Sequence, residues 1–162
     1  FAGAASATLL LASSAGYGFL ATVEGMVSRN KSGKAFITLA EGEAVCVPSH
    51  AAHSSGSAAL LDATHVACVS VGGRIVTFVI SDLKRMDKGG RGLMLIDLED
   101  NDSLAGAAAY TRSIRVEGLG RGGKAREETF DIRSLNNAAA LRGRKGKAAN
   151  VTFKPTRVTR VQ

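Results

Sequence analysis

The chain has 162 residues, and 21 Lys+Arg against 14 Asp+Glu give a formal charge of +7, one ordinary domain's worth of chain with a basic bias that excludes acidic tails and acid-rich metal sponges. With 26 Ala and 19 Gly, strand pairing rather than bulky packing must hold it together. Six Phe, two Tyr and no Trp are too few ring faces for an aromatic stack on single-stranded nucleic acid, and two Cys cannot make a disulfide scaffold, so a reducing compartment is the default.

From Phe1 no charged residue occurs before Glu24. A secretory signal would need a basic start, and a membrane span about 20 strongly apolar residues; this stretch is interrupted by Ser13, Ser14, Gly16 and Gly18. Two apolar runs around a Gly turn, Thr8–Ser13 and Phe19–Val23, predict a β-hairpin instead. The missing initiator Met points to a piece of a longer protein. Residues 9–39 then superpose without gaps on 66–96 at an offset of 57: Ser13 on Ser70, Gly16 on Gly73, Lys31 on Lys88, Gly33 on Gly90, Lys34 on Arg91. A third, diverged copy follows, with its turn at Gly122-Gly123, Gly146-Lys147 placed on Gly90-Arg91, and an insertion within 124–140.

Each copy reads as strand, Gly turn, long strand, basic Gly turn, strand. The connectors 48–59 (PSHAAHSSGSAA) and 99–109 (EDNDSLAGAAA) have loop composition, and the final TRVTRVQ alternates as a closing or edge strand would. Strand units repeating at this period predict an all-β array of propeller blades or a β-solenoid, with about three blade-like repeats at roughly 9–47, 64–98 and 112–162.

Charge is uneven along the chain: residues 111–162 hold thirteen basic and four acidic groups, an electrostatic footprint for a phosphate polymer. The repeated turn carries the chemistry. Arg29, Lys31 and Lys34 flank Gly33; Lys84, Arg85, Lys88 and Arg91 flank Gly89-Gly90; Arg142, Arg144, Lys145 and Lys147 flank Gly143 and Gly146. Glycines let the backbone approach a phosphate, and the cations neutralise it. Arg74, Arg121, Lys124 and Arg126 lie beside the other Gly turns and complete the expected DNA-contact set. Gly118–Ala125 matches GxGxxG and nearly a P-loop, but Ala125 lacks the hydroxyl that would hold magnesium. Cys46, His50, His53, His65 and Cys68 fall within 23 residues; HxxC has ligand-like spacing, while apolar runs around both cysteines favour small core residues, and whether the five hold a metal stays open. No Ser, His and Asp set for nucleophilic catalysis is recognisable, so no catalytic residue is expected.

The run Leu10–Phe19, continuing through Val27–Leu39, closely resembles the C-terminal domain of the A subunit of bacterial topoisomerase IV; Gly73–Gly90 is similar to its next blade and Arg142–Lys147 to the basic turn after that. The resemblance implies a propeller-like β-pinwheel, here of about three four-stranded blades, that bends or wraps duplex DNA on its basic outer rim and presents it to the breakage-reunion domain of the same polypeptide. It also implies a cytoplasmic, nucleoid-associated bacterial enzyme, assembled with the ATPase (B) subunits in a heterotetramer that relaxes and decatenates DNA with ATP and magnesium. Neither cofactor is expected in this chain, and the family's catalytic tyrosine belongs to the breakage domain, so Tyr17 and Tyr110 do not take its role. The gyrase A C-terminal wrapping domain has the same architecture, but its Gln-Arg-Arg-Gly-Gly-Lys-Gly box has no match here. That domain and a propeller-type protein-interaction scaffold are the alternatives.

Overall fold

The computed structural model describes residues 5–52 and 63–161. Strands β1 (Thr8–Ala12) and β2 (Tyr17–Thr22) form the expected hairpin, with Leu9 opposite Ala21 and Leu11 opposite Phe19. Every residue of β1 is buried, and a strand covered on both faces shows a continuous apolar run rather than an alternation. One helical turn, α1 (Val23–Met26), ends β2; the Thr22 hydroxyl caps it by accepting from the Gly25 N–H at 3.3 Å. The chain then runs irregularly through the first basic turn before β3 (Ser49–Ala52) returns to pair with β1.

The second unit repeats the order with β4 (His65–Ser70), β5 (Arg74–Val79), a 3-10 turn at Ile80–Asp82, β6 (Leu93–Met94) and β7 (Leu104–Tyr110). The third has β8 (Ser113–Leu119), β9 (Ala125–Phe130), helix α2 (Ile132–Asn137), β10 (Lys147–Ala148) and β11 (Lys154–Val161). The Asp131 side chain caps α2 by accepting from the Ser134 N–H at 2.9 Å, and this longer helix accounts for much of the insertion seen in the third copy.

Sheet membership departs from repeat order. β6 pairs with β2, placing Leu93 opposite Gly18, and β10 pairs with β5, placing Lys147 opposite Ile75. The outermost strand of each of the first two sheets therefore comes from the following repeat, and the sheets run β3-β1-β2-β6, β10-β5-β4-β7 and β11-β8-β9. Among the described residues the third sheet has three strands, because by the same rule the strand beside β9 would belong to a repeat beyond the third. The register also revises the third copy. Gly18 and Ile75 occupy equivalent places in the first two copies, so Lys147 matches Leu93, Gly146 matches Gly92 rather than Gly90, and Lys145 matches Arg91. Contacts agree: a Cβ on Gly92 would collide with the Gly18 carbonyl, and one on Gly146 would sit 2.5 Å from the Ile75 carbonyl oxygen.

Both connectors expected as loops contain a strand: β3 begins at the second residue of 48–59, and β7 occupies the end of 99–109. Residues 53–59 of the first connector lie outside the described residues. Small side chains that read as loop composition are what an inner strand needs where sheets converge. Ala107, Ala108 and Ala109 are all buried, and a Cβ on Gly106 would lie 2.9 Å from the Val158 backbone nitrogen.

The sheets stack in chain order. Leu10, Ala12 and Leu20 of the first meet Val66, Cys68, Val76 and Phe78 of the second, with Leu95, Ile96 and Leu104 between them. Ala67, Val69, Ile75 and Tyr110 on the second sheet's other face meet Ile114, Val116, Phe130 and Val158 of the third, closed by Leu135 of α2. β8 alternates between buried and part-exposed residues along most of its length, as a strand with one covered face must.

Gly106→Ala is expected to destabilise the domain by about 1–3 kcal/mol through overpacking, lowering Tm by several degrees in thermal unfolding. An unchanged Tm would show that β7 and β11 are not in close contact.

Candidate nucleic-acid interface

A hairpin such as β1–β2 leaves the N–H and C=O groups of its outer strand unpaired, and a sheet edge of that kind has to be covered. The basic turn of the following repeat covers it. Leu20 donates its N–H to the Lys84 carbonyl at 2.9 Å and accepts from the Met86 N–H at 2.8 Å; at the equivalent place in the second sheet, Thr77 donates to Ala138 at 3.1 Å and accepts from Ala140 at 2.9 Å. Lys84, Arg85 and Lys88 thereby lie along the outer edge of the first sheet, and Arg142, Arg144, Lys145 and Lys147 along that of the second.

Successive turns are also joined to one another. Gly90 donates to the Phe36 carbonyl and accepts from the Thr38 N–H, both at 2.9 Å, tying the segment after Arg29, Lys31 and Lys34 to the second turn. Gly143 donates to the Leu95 carbonyl at 2.9 Å and Asp97 to the Arg144 carbonyl at 3.1 Å, tying the second turn's outgoing segment to the third turn. Gly89, at φ +82°, passes so close to the Phe36 carbonyl that a Cβ would collide with it, which is why this turn takes glycine. The three basic turns are thus linked in series through backbone hydrogen bonds, the second and third of them on the outer edges of the first and second sheets.

Within these turns the cations divide into two groups. Arg29, Lys31, Lys84, Lys88, Arg144 and Lys145 are all exposed, and among the described residues their side chains have no hydrogen bond or ion pair. Lys34 is also exposed, its Nζ 5.5 Å from the Phe36 ring centroid. Others are engaged internally. Arg91 makes a bidentate pair with Glu43, at 2.7 and 3.1 Å, and lies over the Tyr17 ring at 4.3 Å. Arg85 pairs with Asp87 at 2.9 Å, Arg142 donates to the Met94 carbonyl at 2.6 Å, and Lys147 donates to the Asn137 carbonyl at 2.7 Å.

Arg74 lies opposite Ala148 with its guanidinium 3.7 Å from Glu99. Arg121 and Lys124 sit at the β8–β9 hairpin tip, whose counterparts at 13–16 and 71–73 carry no cation, and Arg126 follows on β9 opposite Gly118. These three are not part of the linked turns. The same hairpin removes the nucleotide-loop reading, since Gly118 is inside β8 and the turn leads into a strand rather than a helix. With Ala125 in place of a hydroxyl residue, the loop does not fit ATP with magnesium.

The partners of the engaged cations had no signal in the sequence. Glu43 is a loop carboxylate far from Arg91 along the chain; its pairing with that guanidinium, and then the Ala40 N–H, hold its carboxyl below the ordinary range. Partial burial pushes the Asp87 carboxyl up, but hydrogen bonds from the Thr22 N–H and hydroxyl, with Arg85, outweigh this and leave it lowered. No three-ligand cluster of His, Cys, Asp or Glu occurs among the described residues, and His53 lies outside them. Cys46 points its Sγ at the Leu104 carbonyl, 3.6 Å away. Burial pushes its thiol up to about 11 and raises that of fully buried Cys68 as well, so both are thiols with little thiolate character. His65 packs on Tyr110 and contacts the Thr64 hydroxyl at 2.8 Å.

A carboxyl lowered on folding stabilises the folded state above its unfolded pKa, and that contribution fades as pH falls through the folded value. Glu43→Gln is therefore expected to lower stability by a constant amount from neutral pH to about pH 5, and by progressively less below it. Denaturant unfolding across this range checks the window; a difference that persists undiminished at pH 2 would show that charge is not what Glu43 contributes.

The family described as "DNA gyrase C-terminal domain, beta-propeller" matches residues 7–47 and 64–110, which include the first two basic turns. The A subunit of DNA topoisomerase 4 from Neisseria gonorrhoeae is 37% identical over 139 residues, covering 85% of this chain and 17% of that protein. Its counterpart in Escherichia coli K12 is 35% identical over 99 residues, covering 60% of this chain and 12% of that protein. The chain thus spans less than a fifth of the length of either. Among solved structures, the E. coli ParC C-terminal domain superposes with a TM-score of 0.75 at 28% identity, covering 96% of this chain and 60% of that one. A DNA gyrase A C-terminal domain shares the fold, with a TM-score of 0.66 at 16% identity over 94% of this chain and 47% of that one. With more than half of its residues matched and the sheet architecture shared, the chain belongs to the DNA gyrase C-terminal domain, beta-propeller family.

Proposed function

We propose that this chain is the duplex-DNA-binding and DNA-bending part of a type IIA topoisomerase, of the kind formed by the A subunit of topoisomerase IV, which presents DNA to the breakage-reunion domain of the same polypeptide. The observation that carries this reading is the series of three backbone-linked basic turns, which carries exposed, unpaired cations, those of the second and third turns along the outer edges of the first and second sheets. Duplex DNA offers a phosphate at regular spacing whatever its sequence, so a row of such turns gains affinity through charge neutralisation and bends the duplex where the row curves. The preference for topoisomerase IV over gyrase A rests on the relatives of that name and on the missing gyrase box.

In this reading ATP and magnesium act elsewhere in the enzyme, on the breakage-reunion domain and on the ATPase (B) subunits of a heterotetramer in the bacterial cytoplasm. This chain contributes no catalytic group and needs neither cofactor for DNA binding. Among the described residues no helix is long and apolar enough to cross a membrane.

If each turn engages about two phosphates, the binding constant for linear duplex should fall with a log–log salt slope near −5. The combined reversal Lys31→Glu, Lys88→Glu and Lys145→Glu should weaken binding at least tenfold and reduce that slope by about 3. Reversing Arg121 and Lys124 together should matter less. Fluorescence anisotropy over a salt series reads both quantities, and a salt-independent affinity, or a larger loss from the hairpin-tip pair, overturns the assignment.

A further inference from the structure

Of the residues in the three basic turns, 29–34, 84–91 and 142–147, Asp87 alone is acidic. It stands directly before Lys88, where a carboxylate opposes the attraction of a phosphate backbone. Both of its oxygens are committed elsewhere. Oδ1 accepts the Thr22 N–H at 2.9 Å and the Thr22 hydroxyl at 3.0 Å, and Oδ2 accepts the Arg85 Nε–H at 2.9 Å.

Backbone groups face outward at every second residue of an edge strand. On the outer edge of β2, the N–H and carbonyl of Leu20 are met by the backbone of Lys84 and Met86. The next outward N–H is that of Thr22, and there the acceptor is the Asp87 side chain. The turn lies so close at this point that a Cβ on Gly25 would sit 2.6 Å from the Asp87 carbonyl oxygen. Thr22 is itself held in place, because its hydroxyl oxygen caps α1 while its proton goes to Asp87. The equivalent turn positions are Asn30 in the first copy and Leu141 in the third, and Leu141 has no acceptor to offer a strand edge. The carboxylate therefore ties the tip of the second turn, between Lys84 and Lys88, to the end of β2.

We infer that Asp87 is a positioning residue for duplex binding, which holds the second turn in the arrangement that Lys84 and Lys88 need, and that this outweighs the repulsion its charge adds. The inference rests on the DNA-binding reading above. A turn ordered in advance has less freedom to lose on binding. Charge and position then give opposite signs for the loss of this carboxylate: removal of a negative charge strengthens attraction to DNA, whereas release of the turn weakens binding.

The test is fluorescence anisotropy of a labelled linear duplex with the whole chain over a salt series. Asp87→Ala raises the net charge by one, yet it should weaken binding about fivefold at an unchanged log–log salt slope, because the same phosphates are neutralised by a less ordered turn. Asp87→Asn makes the same change of charge, but its amide oxygen can still accept both Thr22 bonds, so it should bind no more weakly than the unmodified chain. Asp100→Ala removes an exposed acid outside the turns and, as the charge control, should tighten binding slightly. Thermal unfolding establishes that each variant is folded. Should Asp87→Ala fail to fold, Thr22→Val deletes one of the bonds at constant charge and should weaken binding about twofold. Equal binding by the two Asp87 variants, or an unchanged affinity in Thr22→Val, overturns the inference and leaves the DNA reading standing. An unmodified chain that binds no duplex overturns both.

Discussion

An antiparallel hairpin has two edges, and the structure depends on how the outer one is covered. The outer edges of β2 and β5 are each closed by a segment that belongs to the next repeat. Neither of these sheets is complete from its own repeat, so repeats cannot fold as independent beads, and the units are bonded through backbone as well as through apolar packing. Each closing segment must turn sharply and pass close to its neighbour, which is why Gly89, Gly92 and Gly146 stand at those crossings. The basic residues flank these glycines, and the hydrogen bonds that complete a sheet also set the position of its cations. The charge of the turns and the closure of the fold are properties of the same segments.

The difference between engaged and free cations follows from that coupling. Arg91 is a turn cation by sequence, yet its guanidinium forks onto Glu43 and covers Tyr17, anchoring the second turn against the first sheet. A bidentate pair with a planar contact suits arginine and would be poorly served by lysine. Lys88, a little earlier in the same turn, has no such partner and keeps its charge for solvent or ligand. Exposed ion pairs such as Arg74 with Glu99, at 3.7 Å, contribute at most about 1 kcal/mol and mainly moderate local charge. Exposed like charges on these turns are screened by salt, and their counterions are released when a phosphate backbone takes their place.

Strands with a strong pattern were legible in the sequence: the apolar runs of β1, β2, β4 and β5 and their Gly turns lie where periodicity places them, and the offset between the first two copies is the real spacing of the first two sheets. Elements whose pattern is set by tertiary context were not. The stretch that forms β7 is written in Ala and Gly, which signals a loop locally but suits a strand wedged against β11. Strands β6 and β10 are too short to have any period, and their sheet membership depends on a neighbour in the preceding repeat, far away along the chain. The third copy aligned on Gly90 rather than Gly92 because both positions are glycine and only the register separates them. For the interface, the basic turns were visible as motifs; Glu43, Asp87 and the Met94 carbonyl, which take some of those cations out of use, have no local signature that marks them as partners.

The strong positive charge of the last third of the sequence resolves into separate places once it is folded. Arg142, Arg144, Lys145 and Lys147 join the linked turns on the second sheet's edge, Arg121 and Lys124 occupy a hairpin tip, and Arg157 and Arg160 lie on β11 beside the inner strands. Net charge over a segment is therefore a poor measure of a binding patch, because adjacent positions in a strand point to opposite faces and a hairpin carries its tip away from its ends. What distinguishes the turn cations is recurrence at equivalent backbone positions. A repeat that exchanges strands with its neighbour transmits that equivalence from one sheet to the next, which a basic tail of the same composition would not do.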